Sequence, residues 1–186
     1  MKLKTFKRNA ERKGELTRLR LDGKVPAVVY HQGKQAHPIA ISLAEYEAMV
    51  RDVIPGRLST TKVSLVDEEG TVRTSILKEI QYHPTSYKVL HLDFEQLDEN
   101  VPVNVKVPLE CLGIADCVGI KLGGVLRQVI RKVKVRCLPK HIPHVFQIDI
   151  RNMEMQDSKR IKDLEISKEV KPLVNPSEVA IVIAKR

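Results

Sequence analysis

The sequence predicts a mainly β protein with a few helices, organised as two domains over residues 1–96 and 97–186. Three observations predict it. Short runs rich in Val, Ile and Thr recur along the chain, cut by Gly, Pro and Asp at turn positions. The clearest helical pattern is confined to one segment after Ser42. The composition also changes beyond the acidic break Gln96-Leu97-Asp98-Glu99-Asn100: six of the seven aromatics precede it and all three cysteines follow.

The elements follow in order. Asp22-Gly23 reads as a turn into a buried strand, Val25–Tyr30, and Gly33-Lys34 turns the chain back into Ile39–Ile41. Ser42 with Glu45 is a capping-box pattern, which predicts a helix start. Leu43, Tyr46, Met49, Val50 and Val53 then share one helical face, and Pro55-Gly56 ends it. Thr61–Val66 and Thr71–Leu77 flank Asp67-Glu68-Glu69-Gly70, a hairpin signal. Lys88–Glu95 reads as a strand with His91, Asp93 and Glu95 on one face and Leu92 and Phe94 on the other.

The second half reads as strands at 101–109, 132–138, 145–150 and 179–184, joined in one sheet. Pro102 and Pro108 predict that the first is an edge strand. Gly113, Gly119 and Gly123-Gly124 mark the stretch between as loop. In Lys132–Leu138 the pattern KVKVRCL puts Lys132, Lys134 and Arg136 on the outside.

Composition narrows the function classes. With 186 residues, 42% hydrophobic and 30% charged, the chain is expected to be globular and soluble. No apolar run is long enough to span a membrane, and the polar, basic first thirteen residues predict no secretory signal. Three cysteines suit a reducing cytosol. The net charge of +9 is unevenly spread. Residues 1–36 hold ten Lys/Arg against three Asp/Glu, residues 37–100 six against eleven, and residues 101–186 sixteen against nine. Charge gathered into stretches suits a polyanion, because each cation near a phosphate releases counterions. A solvated basic face is the plainer alternative.

Enzyme signatures are missing. The chain has no G-x-x-x-x-G-K-S/T loop, no G-x-S-x-G elbow and no G-x-G-x-x-G. Cys111, Cys117, Cys137 and His141 lack the spacing of a zinc ribbon or finger, so a structural role is expected for the cysteines. No catalytic residue, metal or cofactor is expected. The basic residues Arg8, Arg12, Lys13, Arg18, Arg20 and Lys24 lead into Tyr30. Arg18 and Arg20 would meet one partner if their segment were extended. His91 and Asp93 could serve as an orienting pair, half of a metal site, or a pair reading sugar hydroxyls and phosphates. A surface pair with only a structural role is the alternative.

Arg12–Tyr30 (RKGELTRLRLDGKVPAVVY), Ile80–Pro84 (IQYHP) and Val89–Phe94 (VLHLDF) resemble the N-terminal domain of bacterial large-subunit ribosomal protein number twenty-five, a 5S rRNA-binding family. The second half is similar to the long form of that family, the general stress protein CTC. It carries Val107-Pro108-Leu109, Gly123-Gly124-Val125-Leu126, Leu138-Pro139, Ile142-Pro143 and Ile148-Asp149-Ile150 in the expected order. The resemblance implies a β-barrel with flanking helices, followed by a second β-rich domain. It implies a 5S rRNA contact surface containing Arg12, Arg20, Tyr30, His91 and Asp93, with Lys13, Thr17, Arg18, Lys24 and Gln32 on the same surface. His31 departs from the family, many of whose members have a small residue there. A cytoplasmic, ribosome-bound protein follows, with neighbouring rRNA or ribosomal proteins expected at the second domain. The family's barrel is also similar to the anticodon-binding domain of glutaminyl-tRNA synthetase, which keeps a tRNA-reading module as an alternative. A cysteine- or zinc-dependent enzyme in the second half is the remaining one.

The residues supply a mechanism of their own. A-form RNA is read by shape, phosphates and 2′-hydroxyls across its wide minor groove. Arg12 and Arg20 suit phosphates, Tyr30 suits the RNA backbone through its hydroxyl or a ribose through its ring, and His91 and Asp93 suit sugar hydroxyls or an exposed base edge. The shortage of aromatics, 4% with no Trp, argues against a single-strand stacking platform, and recognition of a duplex or of a loop's shape is the better fit.

Overall fold

The computed structural model describes residues 1–8, 13–31 and 35–185. It holds two compact units, Met1–Val101 and Pro102–Arg186.

Six strands of the first unit close into a barrel: β1 (Lys2–Lys7), β2 (Lys24–Tyr30), β3 (His37–Ser42), β4 (Lys62–Val66), β5 (Val72–Tyr82) and β6 (Val89–Gln96). The order around the barrel is β1-β3-β2-β6-β5-β4. Parallel pairing of β4 with β1, in which Leu65 faces Leu3, closes the ring and removes the free sheet edge. Leu3, Val25, Val29, Ile41, Leu65, Leu92 and Phe94 fill the interior, and Tyr46 and Met49 join them from a helix. The mainly β fold expected from the sequence is present, and the implied barrel is closed.

Several elements differ from the sequence reading. Residues 2–7, read only as a basic N-terminus, form β1, because the alternation Lys-Leu-Lys-Thr points Leu3 and Thr5 inward. α1 (Lys13–Leu21) replaces the extended segment considered for Arg18 and Arg20. Asp22-Gly23 is therefore a helix stop: Gly23 takes the left-handed φ of +71° that closes a helix C-terminus. α2 (Leu43–Asp52) starts where expected, but Ser42 makes no side-chain cap. Glu45 accepts a bond from the Lys4 backbone N–H instead, at 3.0 Å, so its carboxylate ties α2 to β1. Val50, placed on the apolar face by its spacing, is exposed, while Tyr46 and Met49 are buried and Leu43 packs against the same core.

Prolines in strands mark where the barrel changes partners. Pro26 pairs with Ala40 of β3, and pairing of β2 with β6 begins one residue later at Ala27. Pro38 sits just outside Ile39, where pairing of β3 with β1 ends. Each missing N–H falls where a ladder on that side has not begun, so no hydrogen bond is lost.

The second unit has two sheets where one was expected. In chain order its elements are β7 (Val103–Leu112), α3 (Val118–Lys121), β8 (Val125–Gln128), β9 (Lys132–Cys137), β10 (Phe146–Asp149), β11 (Ser158–Arg160), β12 (Lys171–Pro172) and β13 (Val179–Ala184). The orders are β10-β7-β9-β12 and β11-β13-β8. β7 is an inner strand, contrary to the edge predicted from its prolines. Pro108 closes its pairing with β9, and pairing with β10 begins at Leu109, so the ring again stands at a hand-over. Val125–Gln128, read as loop, is short but pairs with β13. β9 alternates as read: Val133, Val135 and Cys137 are buried, and Lys132, Lys134 and Arg136 are exposed.

Candidate nucleic-acid interface

The parallel pairing of β2 with β6 builds the barrel wall that matters here. It sets Val28 beside Asp93 and Tyr30 beside Glu95, while β5 sets Gln81 opposite His91 and Glu79 opposite Asp93. Inward positions are apolar, so His91 and Asp93 stand on the outside of the wall. They are 22% and 30% exposed, and His91 Nδ1 lies 2.6 Å from Asp93 Oδ1. A bond from Nδ1–H to Asp93 fixes the ring and turns Nε2 outward as the group available to a ligand.

Tyr30 is half-buried beside this pair. Burial, followed by the nearby charges of Glu95, Asp93 and Glu79, pushes its hydroxyl pKa up to about 12. The hydroxyl therefore keeps its proton well into the alkaline range, and in that form it can donate to a phosphate or sugar oxygen.

α1 delivers the cation. Thr17 and Arg20 are three residues apart on one side of the helix. Arg20 Nη2 donates to the Leu90 carbonyl at 3.1 Å, one residue from His91. The guanidinium keeps further N–H groups for a partner while that bond orients it. Arg18 is exposed, and two residues along a helix do not face the same way, so the shared partner considered for Arg18 and Arg20 is not available. Lys24 opens β2 with its Nζ 4.0 Å from the centre of the Phe6 ring. Lys13 is the first residue of α1. Arg12 and Gln32 lie outside the described residues. His31 Nε2 is 2.5 Å from Asp98 Oδ2, so the residue that departs from the family ties the end of β2 to the chain beyond β6.

Four residues that the sequence reading did not single out adjoin Arg20. His83, Ser86, Tyr87 and Lys88 at the turn between β5 and β6 line a groove of about 390 Å³ with Arg20 and Lys24. The sequence signal for this turn was Tyr82-His83-Pro84, quoted for the resemblance but not read as a surface.

The second unit carries a different basic surface. Lys132, Lys134 and Arg136 are exposed on β9. Lys106 of β7 faces Lys134, and Lys171 of β12 faces Arg136. Its three cysteines are free thiols. Cys117 is buried and its thiol donates to the Met153 carbonyl at 3.5 Å. Cys137 is buried in β9, and burial pushes the Cys111 thiol pKa up, away from a nucleophilic thiolate. Among the described residues, no group of three His, Cys, Asp or Glu side chains is placed to hold a metal.

The pattern that defines the Ribosomal L25p family matches residues 3–94, and that of the ribosomal protein TL5 C-terminal domain matches residues 102–186. A large ribosomal subunit protein bL25 from Chlamydia abortus is 38% identical over 186 residues, with both chains covered completely. Those from Chlamydia pneumoniae and Chlamydia caviae are 37% and 36% identical, again over both full chains. The chain belongs to the bL25 family, in its long form. Membership makes it a structural ribosomal protein and not an enzyme, which removes the cysteine- or zinc-dependent alternative. The bL25 barrel and its second domain are the two units seen here.

Proposed function

We propose that this protein binds 5S rRNA through the outer wall of its barrel and the end of α1, within the large ribosomal subunit of the cytoplasmic ribosome. One observation carries the reading. Arg20 is held on the Leu90 carbonyl at 3.1 Å beside the His91–Asp93 pair, which puts a phosphate-binding fork and sugar-reading groups on one rigid surface. Glu79 stands opposite Asp93 on the same wall, so it is not a plain basic patch. Phosphates are met from α1, and 2′-hydroxyls or base edges from β2 and β6.

The test is a titration of the full chain against 5S rRNA over a range of salt. Binding with a salt slope that falls in the Arg20→Ala variant supports the reading. Equal competition by tRNA favours the tRNA-reading alternative, and no binding overturns both.

For the second unit we propose contact with neighbouring ribosomal RNA through the β9 face. The support is the row of cations: Lys132, Lys134 and Arg136 stand exposed on alternate positions of β9, a spacing that suits a polyanion. Crosslinking in assembled ribosomes tests it, and crosslinks from β9 to ribosomal protein alone would overturn it.

A further inference from the structure

We infer that the turn between β5 and β6 holds an unpaired RNA nucleotide, its base stacked on Tyr87 and its phosphate met by Arg20 and Lys88. The inference rests on the 5S rRNA reading and adds a subsite to it.

The argument begins with the backbone. Tyr87 has φ +54°, the left-handed region that bulky side chains rarely occupy and glycine enters freely. The turn is nonetheless firmly built. The His83 N–H donates to the Lys88 carbonyl at 2.8 Å, and the Tyr87 N–H donates to the His83 carbonyl at 3.0 Å. His83 Nδ1 accepts from the Thr85 and Ser86 N–H groups at 3.4 and 3.3 Å. The strained conformation is therefore imposed by its surroundings.

The ring does not serve the core. Tyr87 is 78% exposed, so neither packing nor turn chemistry accounts for an aromatic there. What it does line is the groove of about 390 Å³, with Arg20, Lys24, His83 and Lys88 on the same walls. Glu47 is the acidic residue among the groove's walls. An aromatic face beside three cations matches one nucleotide: a base has a π-face, and its phosphate carries the charge. A base inside a duplex could not reach the ring, so the occupant is a bulged, looped-out or terminal nucleotide. Arg20 joins this groove to the His91–Asp93 wall, so a single RNA can occupy both.

The test titrates the full chain and its variants against 5S rRNA. Tyr87→Ala and Tyr87→Gly should each weaken binding by roughly five- to one-hundred-fold, the range of one base–aromatic stack. Tyr87→Phe should stay within about twofold, since the ring face is kept. The salt slope should be unchanged in all three, because a stack releases no counterions. Tyr87→Gly also relieves the positive φ, so its thermal midpoint should not fall, which separates lost binding from lost folding. If Tyr87→Ala and Tyr87→Gly bind like the wild type while Arg20→Ala is weakened, the subsite is wrong and the ring belongs to a protein neighbour or to solvent. If the wild type does not bind 5S rRNA, the underlying reading fails as well.

Discussion

The barrel wall and the β9 face of the second unit are both polar surfaces built on strands, yet they are built differently. On and around the wall the charged groups at its centre are tied to neighbours. Arg20 bonds to the Leu90 carbonyl, His91 to Asp93, and Lys24 sits over Phe6. Lys78 Nζ reaches Glu95 Oε2 at 2.5 Å. On the β9 face, Lys132, Lys134 and Arg136 stand in a row, and their register partners are Pro108, Lys106 and two further non-acidic residues, Asn104 and Lys171. The first arrangement fixes where each donor points. The second raises the local potential without aiming it. Shape-reading of RNA needs the first, and a general hold on phosphates needs only the second.

The comparison can be broken most directly at Arg20. Arg20→Ala should weaken 5S rRNA binding by about 2 kcal/mol, roughly thirty-fold, and lower the salt slope by about one. Arg20→Lys should recover the slope but not the affinity, because an ammonium lacks the fork that bonds Leu90 and a phosphate together. Full affinity in the lysine variant would reduce the wall to a charge field like its counterpart.

Replacing Lys132, Lys134 and Arg136 together by Ala should leave 5S rRNA affinity within about twofold and lower the salt slope of ribosome association by up to about three. Exchanging lysine for arginine on this face should change little. A large loss of 5S rRNA affinity would place both surfaces on the same RNA.

Alkaline pH sharpens the wall further. Tyr30 holds its proton more tightly folded than unfolded, so its stabilising contribution is present below pH about 10 and is lost as pH rises through about 12. Tyr30→Phe should flatten the fall in stability across that window in denaturant melts. An unchanged pH profile would show that Tyr30 is not in the buried, acidic surroundings described.

Much of the fold could be read residue by residue. Val25–Tyr30, the hairpin around Gly70 and the alternation of β9 follow from period-two patterns that any half-buried strand must show. β1 escaped because Leu3 and Thr5 are short signals within a lysine-rich stretch. α1 escaped because Leu16 and Leu19 mark only a narrow face, and its stop at Gly23 also reads as an ordinary turn. The proline argument for an edge strand failed at β7 because a proline demands only one unpaired side, and a hand-over between partners supplies it.

By itself the sequence determined the strand-forming segments, the apolar positions that face inward, the uneven charge and the family to which the chain belongs. These are local or cumulative properties, carried by residue type and spacing. Tertiary structure decided the rest. The parallel pairing of β2 with β6 brings Tyr30 beside the His91–Asp93 wall. The helical path of α1 separates Arg18 from Arg20 and lands the latter on Leu90. The tight turn before β6 sets Tyr87 facing the same groove. Each of these depends on contacts between residues far apart in the chain, which no local pattern encodes.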